Sequence, residues 1–366
     1  MAIRRLTIGL MSGTSLDGVD GVLADFSSDT PLIGTSSRNF PTDLRRKLLS
    51  LCLTGDNEIE RIAQIQPQLT QLYADVVKDL LTATGRSSAQ IAAIGCHGQT
   101  VRHLPHLGYS LQLGNPAQLA ELCKIAVVAD FRSRDLAAGG EGAPLVPAFH
   151  SHQFSSPDQD RIVINIGGMA NISCLPIKGD VTGFDTGPGN ALMDAWCERH
   201  QGKPYDENGS WAASGSVNTE LLKSLLADDY FQRPPPKSTG REHFNLPWLE
   251  PHLARHAGMA DEDVQATLLE LTAQSLRDAI DRWGPAGADC YICGGGAYNT
   301  QLIRRLQALM PTRSVTTTNA LGIDPQWVEA ITFAWLTRQY LEGLPGNLPQ
   351  VTRARGPRIL GAFYPA

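Results

Sequence analysis

The sequence predicts an α/β protein of two domains built on one plan, and three observations carry that prediction. Apolar runs of strand length end in glycine-rich turns, amphipathic stretches of helical period lie between them, and one hairpin pattern occurs twice. At 366 residues the chain has room for two ordinary domains.

The first hairpin reads as a strand over Leu6–Met11, a small polar turn over Ser12–Gly18 and a second strand over Val19–Phe26. The same pattern returns at Arg161–Ile166, Gly167-Gly168 and Ala170–Leu175. Further strands are predicted at Ile91–Ile94, Ile125–Ala129 and Cys290–Cys293. Apolar residues three and four apart predict helices over Asp43–Leu53, Glu58–Thr84 (bent at Pro67) and Asp261–Trp283. Asp324-Pro325 supplies an N-cap and a proline at the first helical position. That helix should run through Trp327, Ile331 and Trp335 to Glu342, where Gly343 stops it. Glycines and prolines gather around 130–160, so the crossing between domains is expected there. The expected division is 1–130 plus about 345–366 against 131–344, with a helical insertion near 202–284. Within the insertion, Gly202–Phe244 is polar and turn-rich enough to border a pocket.

Composition narrows the function. Hydrophobic residues make up 42% and charged residues 19%, a balance that builds a core without staples. A formal charge of −6, with no basic run longer than Arg45-Arg46-Lys47 or Arg4-Arg5, excludes a whole-surface nucleic-acid binder. The apolar run after Arg4-Arg5 is too short for a signal peptide, and no stretch approaches a membrane span; a cytoplasmic protein with no membrane partner is expected. Seven cysteines (Cys52, Cys96, Cys123, Cys174, Cys197, Cys290 and Cys293) are odd in number and read as reduced thiols. Cys290 and Cys293 form a CxxC, but on a strand such residues face opposite sides.

Two phosphate motifs narrowly fail. Gly13 and Gly18 have Walker A spacing, yet Val19-Asp20 stands where lysine and a hydroxyl are required; Lys237-Ser238-Thr239 supplies those groups after three prolines instead of a glycine loop. Gly294-Gly295-Gly296 opens a near match to the dinucleotide fingerprint, with Asn299 in place of its third glycine. What remains is a set of small turns, Ser12–Ser15 and Gly167-Gly168 among them, whose amides suit an anionic phosphate. Singly, each reads equally well as a tight turn.

Asp185, in Phe184-Asp-Thr-Gly-Pro-Gly-Asn190, is expected at a strand end beside a helix N-terminus, suited to an ionised general base or to a simple cap. An aspartic protease needs a second such motif, which the chain lacks. Asp17 and Asp20 flank the first turn, where they could orient magnesium or a water, or stay solvated. Glu329 interrupts an apolar helix face and needs a partner if buried. His97 and Arg132 follow strands and could offer hydrogen bonds to a sugar. His150 and His152 lack the spacing and third ligand of a zinc site.

Together, Gly9–Gly18, Asn165–Asn171, Phe184–Asn190 and Cys293–Gly296 resemble the anhydro-N-acetylmuramic acid kinase family. His97–Thr100, Gly142–Pro147 and Leu360–Pro365 fit the same resemblance, which spans nearly the whole chain. It implies an actin/hexokinase-like fold: two RNase H-like domains with an interdomain active-site cleft, and ATP and Mg2+ as cofactors. It further implies that Ser12, Gly13, Thr14, Ser15 and Asp17 form the first phosphate loop, with Asp17 toward the metal. Gly167, Gly168 and Asn171 would form the second, and Gly294, Gly295, Gly296 and Asn299 would lie under the adenosine. His97, Arg132 and Glu329 would bind the sugar, with Arg134 an alternative to Arg132. The implied reaction opens 1,6-anhydro-N-acetylmuramic acid with a water activated by Asp185 and phosphorylates O6, in cell-wall recycling, by a homodimer. Two alternatives stay open: a simple sugar kinase of this fold and a catalytically silent muropeptide sensor.

Overall fold

The computed structural model describes residues 5–256 and 258–366. Arg4 of the Arg4-Arg5 pair lies outside the described residues. Residues up to Phe149 together with Trp327–Ala366 form one compact unit, and His150–Gln326 form the other. The crossings, expected near 130 and 345, thus fall at 149/150 and 326/327. Packing of the late helix explains part of that difference, as described below.

The first unit contains β1 (Leu6–Ser12), β2 (Gly18–Ala24), β3 (Leu32–Asn39), β4 (Ile91–Leu104), β5 (Tyr109–Leu113) and β6 (Val127–Ala129). Its sheet runs from the C-terminal strand Ala362–Tyr364 through β6, β4, β1 and β2 to β3, with β5 paired to the far half of β4. β1 is antiparallel to β2 and β2 to β3, whereas β1, β4 and β6 are parallel. The second unit contains β7 (Arg161–Ile166), β8 (Met169–Leu175), β9 (Thr182–Pro188), β10 (Asp289–Cys293) and β11 (Val315–Thr317), in the order β11-β10-β7-β8-β9. Strand senses repeat: β7, β8 and β9 form an antiparallel meander, and β10 lies parallel to both β7 and β11. The series β3-β2-β1-β4-β6 and β9-β8-β7-β10-β11 are therefore one RNase H-like topology used twice.

The predicted helices hold with small changes. Glu58–Thr84 and Asp261–Trp283 are helical over those residues, and Thr42–Leu51 replaces Asp43–Leu53. Asp324 does receive the Gln326 amide, but Pro325–Trp327 is a 3-10 turn and the α-helix begins only at Val328, ending at Glu342. The short strand expected at Ile91–Ile94 extends to Leu104, and β3 and β5 were not foreseen. β3 is a polar, half-exposed edge strand, so it lacks the apolar alternation that marks a buried one. The described residues of 202–284 carry helices and 3-10 turns and no strand.

Helix Val328–Glu342 rests directly on the first sheet because two glycines let it. A β-carbon on Gly9 would stand 2.0 Å from the Ala330 carbonyl oxygen, and one on Gly95 would stand 2.3 Å from that of Phe333. Ile8, Leu10 and Ile94 fill the first core, and Ile162, Ile164 and Ile292 the second. Among the described residues, no helix is long and apolar enough to cross a membrane. Cys290 is fully buried, which pushes its thiol up to about 12 and disfavours the reactive thiolate there.

His150 sits buried against the Ser173 hydroxyl, 2.8 Å from Nδ1, and burial lowers its pKa to about 3. Its folded pKa is below the unfolded value, so the unfolded chain binds the extra proton. Stability is therefore full above about pH 6.5 and falls as the pH drops toward 3, by at most about 1.4 kcal/mol per unit. Urea midpoints between pH 7 and 5 should fall less in His150→Gln than in the wild type; equal slopes would remove His150 as the cause.

Candidate active site

In the first unit the candidate residues gather at the carboxyl ends of parallel strands, where open α/β sheets bind ligands. β1 ends at Ser12, whose register partner on β4 is Gln99. The Ser12 hydroxyl is buried, donating to the Gly98 carbonyl at 3.2 Å and sharing a 2.7 Å hydrogen bond with Tyr73. Its side chain thus anchors the turn. Gln99 Nε2 donates to the Gly13 carbonyl at 3.1 Å, and the Leu16 amide returns to the same oxygen. Leu16 takes φ +60°, a conformation costing an L-residue about 1–2 kcal/mol, yet its side chain is fully buried in the core. The turn is held from beneath, while Thr14 and Asp17 face outward and Ser15 is half-buried. Asp17 is fixed through its carbonyl, which accepts the Phe40 amide at 2.9 Å.

His97 and Arg132 meet. Arg132 donates from Nη2 to His97 Nε2 at 2.8 Å and from Nη1 to the Gly142 carbonyl at 2.7 Å. Burial, with the Arg132 charge second, holds the His97 pKa well below its ordinary value, so the ring is neutral and accepts at Nε2. The Gly142 loop is tied in turn to buried Asp135: Oδ2 accepts the Gly142 amide at 2.8 Å, and Oδ1 accepts from Asn347 and Thr352, each at 2.7 Å. Arg134 lies on the short helix Ser133–Ala137 and is exposed. Glu329 lies in the first turn of helix Val328–Glu342, where the helix dipole favours a carboxylate.

In the second unit a polar row crosses the sheet. Asn165 on β7 stands opposite Asn171 on β8, and Asn171 opposite Asp185 on β9. Directly paired residues share a face, so these side chains are neighbours. Asp185 therefore lies inside a strand, not at its end beside the helix, which begins only at Ala191. Two backbone groups and one hydroxyl grip it instead. Its amide donates to the Lys237 carbonyl (3.1 Å), its carbonyl accepts from the Tyr230 hydroxyl (2.7 Å), and its Oδ2 accepts the Thr239 amide (3.0 Å). Asn171 Oδ1, Thr239 Oγ1 and Arg241 Nε are buried without a hydrogen-bond partner among the described residues. Such atoms in and after the segment that holds the carboxylate mark a place for a ligand or water.

The carbonyls of Gly167 and Gly168 accept the amides of Gly189, Asn190 and Ala191, so this turn caps the N-terminus of helix Ala191–Gln201. Gly294 has φ +78°, and a β-carbon there would stand 2.5 Å from Asn165 Oδ1, so only glycine fits between β10 and the end of β7. Gly295 is exposed and Gly296 packs on Ile166. Asn299 caps helix Thr300–Leu309 through its 3.0 Å bond from the Leu302 amide, which occupies its side-chain oxygen. Tyr230, Lys237 and Thr239 were missed as partners of Asp185. All three lie in Gly202–Phe244, which the sequence marks as bordering a pocket, and Lys237-Ser238-Thr239 reads there as a failed phosphate loop. Among the described residues, no cluster of three or more His, Cys, Asp or Glu side chains is arranged to hold a metal.

Two RNase H-like units, each opening on a hairpin whose turn is built from small residues, define the actin/hexokinase-like class. The family model for anhydro-N-acetylmuramic acid kinase matches residues 5–366. Proteins named anhydro-N-acetylmuramic acid kinase from Nitrosomonas europaea and Thiobacillus denitrificans are each 54% identical over 362 residues. The alignments cover 98% of this chain and 99% and 97% of theirs. The chain belongs to the anhydro-N-acetylmuramic acid kinase family. Among solved structures it is similar to the Acidaminococcus fermentans (R)-2-hydroxyglutaryl-CoA dehydratase component A, at 12% identity and a TM-score of 0.49, covering 90% of this chain and 96% of that one.

Proposed function

We propose that the protein uses ATP to convert 1,6-anhydro-N-acetylmuramic acid and water into N-acetylmuramic acid 6-phosphate and ADP. The observation that carries this reading is Asp185, whose carboxylate accepts the Thr239 amide and whose main chain is held by Lys237 and Tyr230, beside buried polar atoms that lack partners among the described residues. Asp185 takes a proton from water as the water oxygen bonds to the anomeric carbon. The C1–O6 bond breaks, and O6 attacks the γ-phosphorus of ATP, with ADP as leaving group. Such phosphoryl transfer is mostly a matter of positioning and charge neutralisation.

In this reading the Ser12–Ser15 and Gly167-Gly168 turns serve the phosphates and Gly294–Gly296 the adenosine. Arg132, oriented by neutral His97, and Glu329 serve the sugar. Mg2+ arriving with ATP keeps mostly phosphate and water ligands, so one outward carboxylate suffices; Asp17, exposed and fixed by its backbone, fits that need. When bound, the ion neutralises phosphate charge. The reading also carries a cytoplasmic homodimer acting in peptidoglycan recycling, as the resemblance to the kinase family implies.

Turnover in oxygen-18 water tests the chemistry. Mass spectrometry should find one solvent oxygen at C1 and phosphate on O6. Phosphorylated sugar without the label would leave a simple sugar kinase, and no ATP-dependent product would leave a binding protein.

A further inference from the structure

Lys237 is 9% exposed, an unusual setting for a lysine. Its ammonium donates to the Tyr230 carbonyl at 3.0 Å and lies 4.6 Å from the Tyr230 ring centre, 4.8 Å from that of Trp283 and 5.9 Å from that of Phe184. Aromatic faces attract a cation by their quadrupoles, and more strongly when it is desolvated. Apart from Trp283, every group in this cage also reaches Asp185. Phe184 precedes it, the Tyr230 hydroxyl holds its carbonyl, the Lys237 carbonyl holds its amide, and two residues on the Thr239 amide holds its carboxylate.

We propose that Lys237 is a positioning residue: its caged ammonium locks the 237–239 segment, and that segment aims the Asp185 carboxylate. The proposal rests on Asp185 being the base. It assigns Lys237 no contact with substrate. A shift of about 1 Å in a reacting group costs about 10²-fold in rate, so a lock of this kind is worth having.

Burial, with Arg282 second, lowers the Lys237 pKa to about 8, which makes the lock sensitive to alkali. The charged groups acting on the ammonium are Arg282 on helix Asp261–Trp283, Arg233 after the Asp229–Gln232 turn and Asp185 on β9. Below pH 8 the amine is charged and the cage holds it. Above pH 8 it becomes neutral and the aromatic attraction is lost.

The test measures kcat and KM from pH 6.5 to 9.5 for the full chain and for Lys237→Met. Wild-type kcat is expected to fall through an apparent pKa near 8 while circular dichroism stays unchanged. In Lys237→Met, kcat at pH 7 should drop by about 10²-fold, with both KM values little changed and the alkaline fall gone. A merely structural lysine would lower the melting temperature but leave that fall in place. Wild-type kcat at pH 7 in Lys237→Met, or persistence of its alkaline fall, overturns the proposal. Should Lys237→Met not fold, the wild type decides, and a flat kcat between pH 7 and 9 overturns it. Asp185→Asn run alongside separates the two readings. Full activity there removes the base itself, whereas an inactive Asp185→Asn with an indifferent Lys237→Met removes only the lock.

Discussion

Asp185→Asn should turn over its sugar about 10²–10⁴-fold more slowly than the wild type while binding ATP normally. The substitution is nearly isosteric, and an asparagine oxygen still accepts the Thr239 amide that now reaches Oδ2 at 3.0 Å. The two main-chain hydrogen bonds of residue 185, to Lys237 and from Tyr230, do not depend on its side chain. The strand and its neighbours therefore stay in place. What disappears is the ability to take a proton from water. Steady-state kinetics with calorimetric titration of ATP make the check, and an Asp185→Asn enzyme with wild-type kcat would end the assignment of this residue as the base.

Gly9→Val is expected to cost stability beyond the usual 1–3 kcal/mol of overpacking. The obstacle is backbone on a rigid helix: the new β-carbon would meet the Ala330 oxygen at 2.0 Å and the Ala334 nitrogen at 2.6 Å. No rotamer relieves such a clash, so helix Val328–Glu342 must lift from β1 and carry Glu329 with it. Thermal melts should show a large drop, and whatever folded protein survives should have reduced kcat/KM. A Gly9→Val protein that melts and turns over like the wild type would show that the helix does not seat on Gly9.

The duplication was legible because both hairpins repeat one pattern of apolar strands around small residues, a signal set by local burial. Asp185 was legible as a chemical group but not in its setting. The strand around it reads Thr182–Pro188, with glycine and proline at its end, so alternation was too weak to place the carboxylate inside rather than after it. Its partners were harder still. Lys237 and Thr239 come to Asp185 through a loop more than fifty residues away in sequence, and nothing local announces that meeting. Ser12 and Asn299 show the opposite case. Both lie in the motifs expected to hold nucleotide, yet the Ser12 hydroxyl is spent on Tyr73 and Gly98, and the Asn299 oxygen on a helix cap.

The first unit closes with its own tail. Asp135 takes two of its three donors from Asn347 and Thr352, and Ala362–Tyr364 pairs with β6. A nascent chain leaving the ribosome thus cannot complete the mooring of the Gly142 loop under Arg132 until Asn347 and Thr352 have been made. His150–Gln326 has all its residues well before then. The segment made later is free to mature earlier, reversing the order in which domains usually emerge and fold.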